Sequence, residues 1–246
     1  MRIAVLSDIH ANVFALQAVL DNLHARGADY IVNLGDTLYG PIAPKATYDL
    51  LMQHPVLSIC GNQDRAIFEA TADDRAMNPT MAFVLDELGV EPLAWMRSLP
   101  PVHALTEAVF LCHGAPANDC TYLLENISTG TPQIQSEAAI LAELTSVPAS
   151  LVLCGHSHIP RMVRLASGQL IVNPGSVGLP AYTDDLPVPH SMQTYSPHAA
   201  YAMVEKTAHG WNVELIRVAY ESERAAEAAQ ALGRPDWAKP LATGRV

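Results

Sequence analysis

The sequence of 246 residues contains few basic side chains, and this shortage argues against one large class of function. It has 14 Lys and Arg against 25 Asp and Glu, for a formal net charge of −11. Proteins that bind nucleic acids usually carry a basic patch, because neutralisation of phosphates supplies most of their affinity. We therefore expect no nucleic-acid partner. The charge of an anionic substrate would have to be balanced mostly by something other than side chains, such as bound metal ions.

Long apolar runs and secretion signals are also missing. Half of the residues are hydrophobic, yet no apolar run approaches the roughly 18 to 20 residues that a membrane span requires. The first ten residues, MRIAVLSDIH, are apolar but short and include Asp8. They predict a first strand rather than a signal peptide. The sequence therefore predicts a cytoplasmic protein with a large core and no membrane contact.

The four cysteines contain no Cys-x-x-Cys pair, which argues against a thiolate metal site. Cys60, Cys112 and Cys154 each end an apolar run. We interpret them as small buried hydrophobic residues at strand ends. A disulfide framework is not expected in a cytoplasmic chain of this size.

Strand and helix patterns alternate in the first hundred residues. The three strand patterns are continuously apolar, which favours a parallel sheet covered on both faces. Asn12 and Gly27 are typical of the start and the end of the first helix. Strands are predicted at 2–7, 29–36 and 56–62, and helices at 12–27, 44–54 and within 65–98.

The second half of the chain has the pattern of hairpins. These are predicted at 101–114, at 161–176 with a turn at Ser167-Gly168, and at 200–220 with a turn near Gly210, together with a strand at 150–156 and helices at 135–144 and 221–232. Two sheets packed face to face, with helices outside, would accommodate all of these elements in a single domain over residues 1–246. Residues 179–198 are predicted to form a long Pro-rich loop, and loops of this length are usually functional or disordered.

Polar side chains follow five of the apolar strands. They are Asp8 and His10, Gly35-Asp36, Gly61-Asn62, His113-Gly114, and Gly155-His156-Ser157-His158. In open α/β sheets the ligand site lies at the carboxyl ends of the strands, so all five sets are expected to converge there. Carboxylate oxygen, amide oxygen and imidazole nitrogen together suit manganese, zinc or iron better than calcium or magnesium. The sequence therefore predicts a metal centre.

The order of these motifs resembles the calcineurin-like metallophosphoesterase superfamily. The similar residues are Asp8-x-His10, Gly35-Asp36, Gly61-Asn62-x-Asp64, His113-Gly114 and Gly155-His156-x-His158, and the resemblance runs from residue 3 to about 178. The sequence NPGSVGLP at 173–180 is similar to the small bacterial and archaeal phosphodiesterase branch. The resemblance implies an α/β fold, a four-layer αββα sandwich of two mixed sheets flanked by helices.

The resemblance also implies a hydrolase with two divalent transition-metal ions, and Mn²⁺, Zn²⁺ and Fe are the expected metals. The first ion would be held by Asp8, His10, Asp36 and His158, and the second by Asp36, Asn62, His113 and His156. Asp36 would bridge both ions, which the two oxygens of one carboxylate permit. Two such cations roughly 3.5 to 4 Å apart can activate a shared hydroxide that attacks phosphorus in line. The expected partner is a small phosphoester substrate, and no oligomeric state is predicted.

Gln63 departs from the family pattern. Many members have a His at this position that is regarded as the general acid for the leaving group, oriented by an acidic residue equivalent to Asp64. Gln cannot donate a proton and recover it near pH 7, so either water or another side chain protonates the product, or the leaving group is stable enough without a proton. The residues assigned to catalysis are Asp36, Asn62 and Asp64. A general acid typically contributes about 10²- to 10⁴-fold. We therefore expect phosphodiesters or activated phosphomonoesters as substrates.

Two other functions are compatible with the same fold. One is a metal-binding scaffold with little activity. The presence of every expected ligand type argues against it. The other is a nuclease, against which both the acidic balance and the missing His argue. His190 and His198 are interpreted as exposed loop histidines, Ser157 as a turn residue and Arg65 as a surface charge. The segment 115–134 and the Pro-rich loop are expected to shape the entrance.

Overall fold

The computed structural model describes residues 1–246 and contains 14 strands and nine helices. The strands are β1 (Arg2–Leu6), β2 (Tyr30–Asn33), β3 (Val56–Ser58), β4 (Val102–Thr106), β5 (Val109–Cys112), β6 (Glu125–Asn126), β7 (Gln133–Ile134), β8 (Leu151–Leu153), β9 (Arg161–Arg164), β10 (Leu170–Asn173), β11 (Ala181–Asp184), β12 (His190–Gln193), β13 (Ala199–Thr207) and β14 (Gly210–Val218). The helices are α1 (Val13–Arg26), α2 (Pro44–Leu51), α3 (Asn62–Glu69), α4 (Ala72–Met77), α5 (Pro79–Glu87), α6 (Val90–Ser98), α7 (Glu137–Glu143), α8 (Ser222–Ala231) and α9 (Pro235–Thr243).

The first sheet has the strand order β14-β13-β1-β2-β3. Strands β1, β2 and β3 are parallel, which confirms the arrangement predicted from their continuous apolar runs. Helix α1 begins after Asn12, whose side chain accepts a hydrogen bond from the Ala15 amide, and ends at Gly27 as predicted. The predicted hairpin β13–β14 completes the sheet, with β13 antiparallel to β1.

The second sheet has the order β4-β5-β8-β10-β9. Its three central strands, β5, β8 and β10, are parallel. The predicted hairpins β4–β5 and β9–β10 lie at its two edges and are antiparallel. Five of the six parallel strands, all except β10, are therefore followed by residues that the sequence marks as candidate ligands.

The two sheets pack face to face through alternate side chains of their strands. In β1, Ile3 and Val5 lie between the sheets, whereas Ala4 and Leu6 pack against α1 on the other face. The far face of the second sheet packs against residues of α7, including Ile140. These layers form the αββα sandwich of two mixed sheets, as predicted. No helix has both the length and the apolar character needed to cross a bilayer.

The segment 179–198 is not an irregular loop, which corrects one prediction. It contains the antiparallel hairpin β11–β12, in which Asp184 pairs with His190. The strands themselves contain no proline, since Pro187 and Pro189 lie in the turn between them, where the missing amide hydrogens break no pairing. The prolines of this segment therefore led to the prediction of a loop where two short strands are present.

Helix α9 was not predicted. It begins with Pro235 and contains Pro240, a residue that normally interrupts helices. Trp237 and Leu241 are buried against Ile42 and Leu179, so tertiary packing stabilises the helix despite its composition. This packing brings the end of the chain next to the candidate ligands.

Candidate metal centre

The strand ends bring the seven predicted ligands together. Asp8 and His10 follow β1, Asp36 follows β2 and Asn62 begins α3 after β3. His113 follows β5 and the two other histidines follow β8. Two groups of ligand atoms result, Asp8 with His10 and His158, and Asp36 with His113 and His156, and within each group the atoms lie within 4.8 Å of one another.

The backbone at this centre adopts left-handed conformations that the sequence did not reveal. Five of the seven predicted ligands have positive φ, namely Asp8 (55°), His10 (50°), Asp36 (54°), His156 (67°) and His158 (59°). Such conformations cost roughly 1 to 3 kcal/mol per residue and persist only where the surroundings enforce them. Here the amides of Asp8 and His10 donate to the carbonyls of Gly35 and Asp36, each over 3.0 Å. The turns after β1 and β2 therefore fix each other.

In the first group, hydrogen bonds determine which ring nitrogens are available. Nδ1 of His10 lies 2.9 Å from the Tyr39 carbonyl, and Nδ1 of His158 lies 2.6 Å from the Leu179 carbonyl. A carbonyl only accepts, so both Nδ1 atoms carry protons and both Nε2 atoms are free to act as ligands. The two Nε2 atoms lie 3.1 Å apart, and that of His158 lies 3.2 Å from Oδ1 of Asp8.

The second group is arranged in the same way with one difference. Nδ1 of His113 donates to the Leu34 carbonyl over 2.8 Å, and its Nε2 lies 2.9 Å from Oδ1 of Asn62 and 3.4 Å from Oδ2 of Asp36. In His156 it is Nε2 that lies 3.1 Å from a carbonyl, that of Cys120. The nitrogen available from His156 is therefore Nδ1.

These donor atoms fit a bound cation. Oδ1 of Asp8 is fully buried and accepts no hydrogen bond, which is costly for a carboxylate oxygen. The Nε2 atoms of His10 and His158 face each other at 3.1 Å, an arrangement that requires a proton or a cation between them. A single divalent cation would satisfy all three acceptors. Mixed oxygen and nitrogen donors of this kind suit transition metals.

Sequence and structure comparisons agree with this interpretation. Residues 1–193 match the model of the calcineurin-like phosphoesterase superfamily domain. The chain belongs to this superfamily. It is 26% identical over 246 residues to the uncharacterized protein MJ0912 of Methanocaldococcus jannaschii, with 96% of this chain and 94% of that protein covered. It is also similar to the crystal structure of a metallophosphoesterase from Sphaerobacter thermophilus, with 26% identity, a TM-score of 0.77 and coverage of 99% and 100% of the two chains.

Burial and neighbouring charges determine the protonation of the histidines and carboxylates in this centre. Burial, together with a neighbouring histidine, lowers the pKa of both His10 and His156 to about 4, which leaves them neutral at pH 7. Burial alone would also lower the pKa of His113, but the Asp36 carboxylate raises it to about 10. Burial opposes ionisation of Asp8, yet His158 and the other histidines hold its pKa well below the usual range. Burial also opposes ionisation of Asp36, but His113 lowers its pKa, so the carboxylates of Asp8 and Asp36 are both ionised.

Metal binding to the second group is expected to release a proton. Below pH 10 the metal-free His113 carries a proton on Nε2, whereas a ligand must be neutral. Metal affinity should therefore fall as the pH decreases, about ten-fold per unit for the one proton displaced. Calorimetric titrations of the metal-free protein with Zn²⁺ or Mn²⁺ in buffers of different ionisation enthalpy measure this proton. An enthalpy that does not depend on the buffer would contradict the assignment of His113.

Asp64 lies beneath the centre rather than in its wall. Its buried carboxylate accepts hydrogen bonds from the amides of Thr37 (2.8 Å) and Gly61 (3.1 Å), and so joins the turns that follow β2 and β3. Burial and the charge of Asp36 raise the pKa of Asp64 to about 7. The amide of Gln63, the residue before Asp64, donates to Oδ1 of Asp36 over 2.8 Å. The turn after β3 thus orients Asp36 through its backbone.

The remaining candidates lie outside the two groups. His190 is buried rather than exposed, which corrects its interpretation; its Nε2 lies 3.0 Å from the Tyr122 hydroxyl. His198 is exposed as expected. Arg65 forms a bidentate ion pair with Asp119 over 2.8 and 2.9 Å, so it is more than a free surface charge. Ser157 is a buried residue of the turn and accepts from Asn173.

Aromatic residues that sequence reasoning missed surround the centre. A cavity of about 220 Å³ opens on His10, Asp36, Asn62, His156 and His158, and its wall includes Tyr39, Tyr122, Tyr182 and Trp237. Tyr122 stacks on His156 with ring centroids 4.6 Å apart, and Trp237 contacts His10 edge-on at 5.7 Å. Tyr122 lies in the segment 115–134, which was expected to shape the entrance. For Trp237, in the unpredicted α9, the sequence carries no comparable signal.

Proposed function

We propose that this protein is a phosphoesterase that uses two divalent transition-metal ions, Mn²⁺, Zn²⁺ or Fe, to hydrolyse phosphodiester or activated phosphomonoester bonds. The observation that carries this proposal is the pair of donor groups at the strand ends, in each of which the ligand atoms lie within 4.8 Å of one another, with Oδ1 of Asp8 buried and without a hydrogen-bond partner. Asp8, His10 and His158 would hold one ion, and Asn62, His113 and His156 the other. Asp36 would bridge them.

The chemistry that bound cations supply is the activation of water near pH 7 and the neutralisation of phosphate charge. The protein supplies orientation. Backbone carbonyls fix the tautomer of each histidine, and such outer partners typically influence metal affinity or activity by about 10- to 100-fold. Asp64 acts by positioning the turns of Asp36 and Asn62.

Side-chain charge around the cavity favours substrates with a single negative charge. Arg234 is the only Lys or Arg in the wall, and it forms a bidentate ion pair with Asp236 over 2.6 and 2.9 Å. A second phosphate charge would therefore find no free cationic side chain. Gln63 lines the same cavity and cannot act as a general acid. Both features favour diesters and esters with stable leaving groups.

The test is hydrolysis by the metal-free protein after reconstitution with Mn²⁺, Zn²⁺ or Fe²⁺. We expect two ions per chain and a higher kcat/KM for bis(p-nitrophenyl) phosphate than for p-nitrophenyl phosphate. Absence of both bound metal and hydrolysis would refute the proposal. Full metal occupancy without hydrolysis of any ester would instead indicate a metal-binding scaffold.

Replacement of Gln63 by His is expected to increase the hydrolysis of alkyl phosphomonoesters. The imidazole would add a proton donor to the cavity wall, and a general acid contributes about 10²-fold or more when well placed. Gln63→Asn is the matched control, since it changes the side chain without adding a group that can act as a general acid. Rates are compared across the pH range with equal metal content. An unchanged rate in Gln63→His at every pH would mean that another group already supplies the proton.

A further inference from the structure

A second and larger cavity also borders the candidate metal centre. Its volume is about 770 Å³, and its wall combines the segment 120–128 with the turn between β11 and β12. It shares Asn62, Tyr122, His156 and Asp184 with the smaller cavity, so the two meet at the second donor group. A phosphorus atom at this junction would have space for one substituent on each side.

Tyr122 is held rigidly between the two cavities. Its ring stacks on His156 at an interplanar angle of 17°. Its hydroxyl lies 2.9 Å from that of Tyr182 and 3.0 Å from Nε2 of His190. The Nδ1 atom of His190 donates to the Val188 carbonyl over 2.8 Å, so its Nε2 is the acceptor of a hydrogen bond from the Tyr122 hydroxyl. The hairpin β11–β12 thus fixes the position of the Tyr122 ring through His190 and Tyr182.

The larger cavity is suited to an uncharged group. No Lys or Arg lines it, and of its two carboxylates Glu125 is paired with Arg161 over 2.6 and 2.8 Å. The other, Asp184, would repel an anionic group. Ile127, Leu186 and Val188 are apolar residues of its wall, and Leu186 is 74% exposed. An uncharged nucleoside or aryl group would bury this surface.

We propose that the substrate is a phosphodiester whose larger substituent is uncharged and lies in the cavity of Ile127, Leu186 and Val188. The smaller substituent lies against Trp237 and the Arg234–Asp236 pair in the smaller cavity. This assignment rests on the proposed phosphodiesterase function. Beyond that function, it specifies which substituent of the diester is recognised and which residues recognise it.

The experiment compares two diesters with the same leaving group. One is the p-nitrophenyl ester of thymidine 5′-phosphate, and the other is methyl p-nitrophenyl phosphate. The metal-loaded protein should favour the thymidine ester in kcat/KM by about ten-fold or more, as expected for filling a pocket. Ser128→Trp, in the larger cavity alone, should remove most of this preference, whereas Thr183→Trp, in the smaller cavity alone, should preserve it.

A charge probe tests the same assignment independently. Adding a 3′-phosphate to the thymidine ester should lower its kcat/KM, and Leu186→Lys should restore part of the loss by placing a cation beside the cavity. Metal content and circular dichroism establish that each variant is folded. Equal turnover of both esters by the unmodified protein, or equal effects of Ser128→Trp and Thr183→Trp, would refute this inference while the phosphodiesterase function stands. Hydrolysis of neither ester would refute both.

Discussion

Replacement of Asp36 by Asn is expected to abolish hydrolysis and to remove most of the metal from the second group. The carboxylate lies 3.4 Å from Nε2 of His113, and its other oxygen accepts the Gln63 amide over 2.8 Å. An amide offers a single oxygen, so it cannot bridge two cations, and it places N–H donors where lone pairs are needed. The loss should exceed the about 10- to 100-fold typical of a missing outer partner of a metal ligand.

The same substitution should change the proton released on metal binding. Since the charge of Asp36 raises the pKa of His113, the Asn variant should hold the His113 proton less tightly. Metal stoichiometry, diester turnover and buffer-dependent calorimetry check the three consequences. Asp21→Asn, in an exposed position of α1, is the control for the loss of one carboxylate. Full turnover in Asp36→Asn would refute the bridging role.

The sequence was sufficient to predict the convergence of the candidate ligands because that convergence follows from topology. Continuous apolar runs predict parallel strands, and the ends of parallel strands meet at one edge of a sheet. Asp8 and Asp36 lie at such ends in the first sheet and His113 lies at one in the second, and the face-to-face packing of the two sheets brings the three together. The resemblance then indicated how the donors divide between two ions.

The surroundings of the centre could not be predicted because they depend on tertiary contacts. The positive φ of His156 and His158 results from the turn that follows β8, and neither residue type announces it. His190 was interpreted as exposed because proline surrounds it, but it lies on the buried side of β12 with Met192, two residues further along the strand. Trp237 reaches the cavity because the packing of α9 outweighs the two prolines in its sequence.

Replacement of Gly61 by Ala is expected to disable the second donor group, even though Ala is compatible with the backbone there. Gly61 precedes α3 with φ of −93°, a conformation that any residue adopts. A Cβ atom at this position would overlap with Oδ1 and the backbone nitrogen of Asp36. Because the backbone of Asp36 cannot give way as a flexible side chain would, the turn after β2 has to shift. Overpacking of this kind typically costs about 1 to 3 kcal/mol.

Gly89→Ala is the matched control, since Gly89 also precedes a helix in an extended conformation (φ of −82°) and a Cβ there would contact nothing within 4 Å. We expect Gly61→Ala to lose diester turnover, to bind fewer metal ions and to unfold at a lower temperature, whereas Gly89→Ala keeps all three properties. Thermal unfolding of the metal-free proteins separates the packing cost from the loss of bound metal. Normal metal content and turnover in Gly61→Ala would show that the turn after β3 does not fix the Asp36 carboxylate.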